Sequence, residues 1–184
     1  MKELSLNILD IAMNSVRAGA KNVGIKIDET DKSLVFTVSD DGKGMSEEFL
    51  KRASDPFCTT RTTRNVGMGL PLLKLAAQQT GGDTEIKSIS EDDDRVNHGT
   101  VIKAFFYKNT VDFTPLGDIV STLVTLIQGS PDIHWTFNHK KGGGDVSLDT
   151  NALKNVLGDV PLDTPDVLVW IKEYLTEQYD SLPG

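Results

Sequence analysis

Residues 4–20, LSLNILDIAMNSVRAGA, constrain the fold more than any other stretch of the chain. Apolar side chains recur over most of the circumference that this segment would have as a helix, which predicts a helix buried in the core. Polar side chains also recur at steps of three and four residues and would share one helical face: Asn7, Asp10, Asn14 and Arg17. Each would cost several kcal/mol if buried without a partner, so the pattern predicts that another polar group meets this face.

Two interpretations of this polar face stay open from the helix alone. The four side chains could hydrogen-bond loop backbone or a buried water. Alternatively, they face a charged ligand and a metal ion. Asp10 would then orient a water, Asn14 would offer its carbonyl oxygen to Mg2+, and Arg17 would meet a phosphate.

The 184-residue chain has a formal net charge of −8 that is unevenly distributed. Residues 1–108 contain 15 Lys+Arg against 16 Asp+Glu and residues 109–184 contain 4 against 11, which gives net charges of −1 and −7. The acidic second part and the lack of a basic stripe argue against a nucleic-acid partner. The change in composition predicts a boundary near Asn109, between a first domain at residues 1–108 and an acidic extension at residues 109–184.

The composition also predicts a cytoplasmic protein that makes no contact with a membrane. No apolar run approaches the ~18 residues that a membrane-spanning helix needs, and no signal-peptide pattern is present. Cys58 is the single cysteine, which excludes a disulfide within the chain and fits a reducing compartment.

Hydrophobic periodicity predicts an α+β fold for the first domain, in the order helix, two strands, short helix, flexible loop, helix and two strands. After the first helix, strands are expected at residues 22–28, 34–39, 83–90 and 100–107, and helices at residues 46–53 and 67–82. Hairpin connections between successive strands favour a mostly antiparallel sheet. The complete pattern predicts a two-layer α/β sandwich.

The extension is predicted to be folded, as a helix, a hairpin and two more helices. Thr114 and Pro115 are expected to cap the first of these helices, which would run to about Gln128. Strands at 133–138 and 146–148 would enclose HKKGGG, and the last helices are expected at 149–157 and 164–179. The extension would be a partner surface or a regulatory cover, or its helices would simply complete the core.

Two glycine-containing segments complement the polar face of the first helix. Residues 67–70, GMGL, open the second long helix, and a glycine-rich helix N-terminus offers unpaired N–H groups to phosphate oxygens. Asp40 ends a predicted strand beside Gly42 and Gly44, so its carboxylate could accept a hydrogen bond from an exocyclic amine such as that of adenine. Either segment alone could be only a tight turn, but together with the polar face they predict a nucleotide site.

Five segments in order resemble the N, G1, F and G2 boxes and the terminal Gly-Thr of the GHKL superfamily: DIAMNSVRAGA, DDGKGM, DPFCTTR, GMGLPLLKLAAQQTGG and HGT. This superfamily includes gyrase, the heat-shock chaperones, histidine kinases and the mismatch-repair protein MutL, which share the Bergerat ATP-binding fold. The resemblance covers about residues 4–107 and is greatest to the ATP-binding domain of nitrogen-regulation-type histidine kinases. It implies ATP and Mg2+ as ligands.

The resemblance also implies a role for each matching position. Asn14 would ligate Mg2+, Asp40 would bind the adenine amine, and Thr100 would support the adenine end. A lid over the nucleotide would span residues 59–66. The implied nucleotide-binding set is Asn14, Asp40, Gly42, Gly44, Met45, Phe57, Thr59, Thr60, Asn65, Val66, Gly67, Met68, Gly69, Leu70 and Thr100.

The implied catalytic residues are Asp10, Arg17 and Arg61, with Lys43 as a further basic side chain within reach of phosphate. Two positions depart from the family pattern. Asn65 replaces the first glycine of the G2 run, and Asn tolerates positive φ better than most residues. Asp10 stands where ATP-hydrolysing members have glutamate, and its shorter side chain would hold an attacking water less well. The resemblance therefore implies ATP binding more strongly than hydrolysis.

Histidine kinases carry a helical hairpin with the phosphoacceptor histidine before the ATP domain, whereas this chain enters its N box within the first residues. We therefore expect a stand-alone domain that acts as a kinase in trans on a partner protein. The alternatives are an ATP-gated interaction module without phosphoryl transfer, a slow MutL-like ATPase and a scaffold that binds no nucleotide. The histidines at 98, 134 and 139 are interpreted as structural or solvated rather than as phosphorylated, and a homodimer is kept as a candidate assembly.

Overall fold

The computed structural model describes residues 3–53 and 69–183 of the chain. Its helices are α1 (Leu4–Arg17), α2 (Glu47–Ala53), α3 (Gly69–Gln79), α4 (Ile119–Gly129), α5 (Thr150–Leu157) and α6 (Pro165–Asp180). Its strands are β1 (Asn22–Glu29), β2 (Ser33–Asp40), β3 (Asp83–Ile89), β4 (Gly99–Tyr107), β5 (His134–Lys141) and β6 (Gly144–Asp149). Among the described helices, none is both long enough and apolar enough to cross a lipid bilayer.

The described strands form one sheet in the order β3-β4-β2-β1-β5-β6. Every neighbouring pair is antiparallel except β1 and β5, which are parallel. Helices cover one face of this sheet, so the predicted two-layer α/β sandwich with a mostly antiparallel sheet is confirmed.

Alternating side chains of the strands form the half of the core that the sheet contributes. Val23, Ile25 and Ile27 point inward from β1, and Trp135 and Phe137 do so from β5. Rings of Phe36 on β2 and Phe106 on β4 stack with centroids 6.0 Å apart. The facing half comes from helices, where the apolar side of α1 supplies Leu4, Ile8, Ile11 and Ala12, all at most 1% exposed.

The extension joins this sheet and core. β5 pairs along the whole of β1 with the register Val23 to Trp135, and α4 packs against both α1 and α6. The backbone N–H groups of Leu4 and Ser5 donate to the carbonyl oxygens of Pro115 and Leu116 at 2.9 and 2.8 Å. The extension therefore completes the core, and the domain boundary near residue 109 stays a prediction.

The prediction that Thr114 and Pro115 cap the first helix of the extension was wrong. This helix, α4, begins only after Asp118, whose Oδ1 accepts from the backbone N–H of Ser121 at 2.9 Å and whose Oδ2 accepts from the Ser121 hydroxyl at 2.7 Å. Gly117 turns the chain just before the cap with φ of +76°. Pro115 instead uses its carbonyl to dock the start of α1, so tertiary contacts moved the helix start.

A buried ionic cluster joins the sheet to α6. Glu29 Oε2 accepts from Nε2 of His139, which is 1% exposed, at 3.0 Å, and Glu29 Oε1 accepts from Lys108 Nζ at 2.8 Å. Nδ1 of His139 hydrogen-bonds the Tyr179 hydroxyl at 2.7 Å. The bond from His139, with help from Lys108 and Lys141, lowers the pKa of Glu29 to about 2 even though burial opposes this. Burial raises the pKa of Tyr179.

Candidate functional site

A cavity of about 610 Å³ opens between the C-terminal half of α1, the loop after β2, and β4. We call residues 40–45, which are the last residue of β2 and the start of that loop, the Asp40 loop. Eight residues that the family resemblance implies for nucleotide binding or for contact with phosphate line this cavity together, although they come from four separate segments: Asn14, Arg17, Asp40, Lys43, Gly44, Met45, Leu70 and Thr100.

The carboxylate of Asp40 is held rigidly at the cavity wall. Its Oδ2 accepts from the Ser15 hydroxyl at 2.6 Å, and its Oδ1 accepts from the backbone N–H of Gly42 at 2.9 Å. Ser15 is 3% exposed, so α1 presents this hydroxyl from within the core. Each carboxylate oxygen keeps a further lone pair, which leaves Asp40 able to accept a hydrogen bond from a ligand amine.

Two glycines let the Asp40 loop lie close to its neighbours. A Cβ at Gly42 would lie 2.8 Å from the Cβ of Ala18, at the end of α1. Gly44 has φ of +68°, and a Cβ there would overlap the carbonyl oxygen of Ile89. Both positions favour glycine, because the end of α1 lies against Gly42 and the backbone at the end of β3 lies against Gly44.

Thr100 lies opposite Asp40 in the β2–β4 register and is fixed by a small hydroxyl network. Ser88 Oγ lies 2.8 Å from Thr100 Oγ1, accepts from the backbone N–H of Met45 at 2.8 Å, and can donate to the carbonyl oxygen of Gly99 at 3.1 Å. Ser88 has one proton, so when it donates to Gly99 the Thr100 hydroxyl donates to Ser88. Thr100 then presents oxygen lone pairs to the cavity.

Asn14 and Arg17 lie together at the cavity mouth, where Arg17 Nη1 donates to Asn14 Oδ1 at 3.0 Å. An amide oxygen is the hard ligand that Mg2+ accepts, and in nucleotide sites this ion takes only one or two protein oxygens beside phosphates and water. Within residues 3–53 and 69–183, no three His, Cys, Asp or Glu side chains cluster as a metal site. The donors at hand therefore fit a magnesium ion shared with phosphate.

The polar face of α1 divides into three environments. Asn14 and Arg17 reach the cavity, whereas Asp10 is exposed and lies beside the first residue of α3, where a Cβ on Gly69 would be 3.6 Å from the Asp10 Cβ. Asn7 is 2% exposed, and its amide nitrogen and oxygen have no hydrogen-bond partner in the described part of the chain. The prediction of polar partners therefore fails for Asn7.

Part of the implied nucleotide-binding and catalytic residues lies outside the described residues: Phe57, Thr59, Thr60, Arg61, Asn65, Val66, Gly67 and Met68. The cavity also has lining residues that the sequence pattern did not single out: Ile11, Ser15, Ala18, Ser46, Phe49, Ser90, Glu91, Asp92 and Ile102. Ser15 carried a signal, since it is a polar side chain on the apolar side of α1. Ser90, Glu91 and Asp92 come from a turn whose position depends on β3 and β4, which no local pattern reveals.

Comparison with known proteins agrees with this geometry. Residues 1–111 match the family described as histidine kinase-, DNA gyrase B-, and HSP90-like ATPase. Sporulation kinase A of Bacillus subtilis is 36% identical over 108 residues, which are 59% of this chain and 16% of that protein. The tetrathionate sensor histidine kinase TtrS of Salmonella typhimurium is 28% identical over 99 residues, covering 54% of this chain and 16% of the kinase. The chain thus spans about a sixth of the length of these relatives.

Solved structures share the fold at low sequence identity. The Aquifex aeolicus MutL ATPase domain complexed with ADP superposes with a TM-score of 0.53 at 13% identity, over 85% of this chain and 68% of that chain. The N-terminal domain of a DNA repair protein gives a TM-score of 0.54 at 16% identity, over 81% and 53%. The family match covers more than half of the chain and agrees with the fold and with the segments around the cavity. The chain therefore belongs to the histidine kinase-, DNA gyrase B- and HSP90-like (GHKL) ATPase family and carries its ATP-binding domain.

Proposed function

We propose that this protein binds Mg-ATP in the cavity beside Asp40 and transfers the γ-phosphate to a partner protein in trans. The observation that carries the ATP-binding part is the fixed Asp40 carboxylate, which Ser15 and Gly42 orient opposite Thr100. An oriented acceptor at the inner wall suits the exocyclic amine of adenine. The kinase part is supported by the names of the matched relatives, several of which are sensor histidine kinases or sporulation kinases.

At the cavity mouth, the chain's own residues would act on the phosphates. Asn14 would hold the magnesium ion through its amide oxygen, and Arg17 would leave that oxygen to meet a phosphate. When bound, the ion supplies neutralisation of phosphate charge. Arg61 is proposed as a second phosphate contact, and Lys43, which lines the cavity, as a third.

Nucleotide binding is tested by titration calorimetry with ATP on the wild type and on Asp40→Asn, with and without Mg2+. Loss of the charged acceptor is expected to weaken ATP binding by about tenfold to a hundredfold. Asp31→Asn, in the exposed β1–β2 turn, is the matched control and should bind like the wild type. Equal affinity of Asp40→Asn and wild type would contradict the proposed site.

Phosphoryl transfer is tested by incubating the protein with radiolabelled ATP and candidate partners from its genomic neighbourhood. A labelled Ser, Thr or His on one partner supports the kinase, and no label on any partner counts against it. The partner is proposed to bind the acidic extension, whose helix α6 exposes the stacked pair Trp170 and Tyr174 with centroids 5.0 Å apart. We propose that the protein works in the cytoplasm, in keeping with its single cysteine.

A second candidate, an ATP-gated interaction module, is favoured by Asp10. Its carboxylate is exposed on α1 and is shorter than the glutamate expected for water activation. In a gate, ATP and a non-hydrolysable analogue would change partner affinity equally, and Asp10→Ala would keep that change. Loss of the change in Asp10→Ala would instead favour a role in turnover.

A further inference from the structure

A chain of hydrogen bonds connects the extension to the Asp40 loop. His134, at the start of β5, lies between Asn22 of β1 and Asp149 at the end of β6. Its Nδ1 is 2.9 Å from Asn22 Oδ1, and its Nε2 is 2.8 Å from Asp149 Oδ1. Asn22 in turn donates from Nδ2 to Asp41 Oδ2 at 2.7 Å. This series of hydrogen bonds therefore ends at Asp41, next to Asp40, the residue proposed to bind adenine.

Asp41 fixes the orientation of the Asn22 amide. Its Oδ1 already accepts from the backbone N–H groups of Lys21 and Asn22 at 2.8 and 2.9 Å. Burial on its own would raise the pKa of Asp41, but the bonds from Asn22 and Lys21 outweigh this and lower the pKa. An ionised carboxylate only accepts hydrogen bonds. Asn22 must therefore turn its NH2 group to Asp41 and its oxygen to His134.

This orientation of the Asn22 amide determines which protonation form of His134 makes both of its hydrogen bonds. Asn22 Oδ1 and Asp149 Oδ1 are both acceptors, so both bonds form only when each ring nitrogen carries a proton. His139, on the other side of the sheet, differs because the Tyr179 hydroxyl that it contacts can either donate or accept. The two bonds of His134 therefore require a proton on each ring nitrogen, whereas the partners of His139 set no such requirement.

Two carboxylates lie on either side of His134. Asp149 faces it from the end of β6, and Asp41 stands behind Asn22 on the side of β1. Burial would raise the pKa of Asp149, but the bond from His134 and the backbone N–H groups that this acid caps in α5 lower the pKa. The His134 backbone N–H donates to the carbonyl oxygen of Lys21 at 2.9 Å, which anchors the ring beside β1.

We propose that His134, Asn22 and Asp149 are positioning residues that hold the Asp40 loop in its nucleotide-binding geometry only while His134 is protonated. When His134 loses one proton, anionic Asp149 retains the remaining N–H, and a bare Nδ1 faces Asn22 Oδ1. Two acceptors at that distance repel, so the Asn22 amide turns over to donate to Nδ1. Its oxygen then opposes Asp41, and the loop loses a support. This inference rests on the proposed binding of ATP beside Asp40.

The test compares Mg-ATP affinities of the full chain and of His134→Gln by calorimetry at about pH 6 and about pH 8.5, on either side of the ordinary histidine range. We expect His134→Gln to bind ATP about threefold to fivefold more weakly than wild type at the lower pH. At the higher pH the two should agree. Because the ratio is taken at each pH, the effect of pH on ATP itself is the same for both proteins and cancels.

Two further variants test the hydrogen bonds that connect Asp149, His134 and Asn22 to Asp41, and a third is the matched control. Asn22→Ala should weaken binding at the lower pH, and adding His134→Gln to it should have no further effect. Asp149→Asn keeps an N-cap oxygen for α5 but removes the anion that faces His134. It takes the place of His134→Gln if that variant does not fold, and its ATP affinity relative to wild type should show the same dependence on pH. Asn138→Ala breaks the neighbouring bond to Asp145 on the same sheet face and should match wild type at both pH values.

A ratio that does not change with pH, or an equal loss in Asn138→Ala, overturns the positioning role while leaving ATP binding intact. Failure of the wild type to bind ATP at either pH overturns the proposed function as well. Thermal unfolding of each variant is recorded alongside. A merely structural role would lower the melting temperature and leave the ratio of variant to wild-type affinity the same at both pH values.

Discussion

Gly44 carries two separate constraints that a single substitution would expose. It adopts φ of +68°, and a Cβ would overlap the carbonyl oxygen of Ile89, the last residue of β3. We expect Gly44→Ala to lower the free energy of unfolding by about 2–4 kcal/mol and to weaken ATP binding, because the Asp40 loop must move away from β3. Urea unfolding measures the first effect.

The matched control for Gly44 is Gly19, with φ of +73° and no atom within 4 Å of its added Cβ. Gly19→Ala should cost only the left-handed backbone conformation, about 1–2 kcal/mol. Equal losses for the two substitutions would mean that the contact with Ile89 is unimportant.

Glu29 makes stability depend on pH. Its folded pKa of about 2 lies below the ordinary value of 4.5, so its ionised form stabilises the fold fully above that ordinary value. This contribution, about 2–3 kcal/mol, is lost as pH falls toward 2. We expect the free energy of unfolding of Glu29→Gln to vary less than that of wild type between about pH 5 and about pH 2.5. Parallel pH profiles for the two proteins would contradict this.

At the scale of elements, the start of α4 tests whether tertiary contacts set helix ends. Asp118→Ala should destabilise the protein by about 1 kcal/mol, since the Ser121 N–H loses its cap. Hydrogen bonds from Ser121 lower the pKa of Asp118, so the carboxylate is the capping form at neutral pH. Thr114→Ala, before the cap, is the control and should leave the melting temperature nearly unchanged. A larger loss of stability in Thr114→Ala than in Asp118→Ala would contradict this and would favour the cap predicted from the sequence.

At the scale of the whole molecule, the family match ends at residue 111, but the sheet continues into β5 and β6. Removing residues 112–184 would expose the edge of β1 and the apolar side of α1 that α4 covers. We expect residues 1–111 alone to be strongly destabilised and prone to aggregate, because an unpaired strand edge and apolar core surface meet water. Circular dichroism and sedimentation of the truncated chain measure this. Cooperative unfolding near the melting temperature of the full chain would show an independent domain.

Much of the fold was predictable because its causes are local. Alternation in β1, β2 and β4 and the capping and glycine signals around the helices fixed the predicted elements to within a few residues. The start of α4 was not predictable, because Pro115 is engaged by Leu4, more than 100 positions away. The parallel pairing of β5 with β1 was equally hidden, since a strand's partner depends on how the chain returns across the sheet.

The candidate site divides in the same way. By itself, the sequence determined which residue types are available: a carboxylate at a strand end, glycines that permit close approach, and an amide and a guanidinium on one face of α1. Their spacing follows from helix and strand geometry. Only the tertiary structure decided that Ser15 and Gly42 orient Asp40, and that Asp10 is exposed. It also decided that His134 reaches the same loop from the extension, because hydrogen bonds between distant segments depend on how the layers pack.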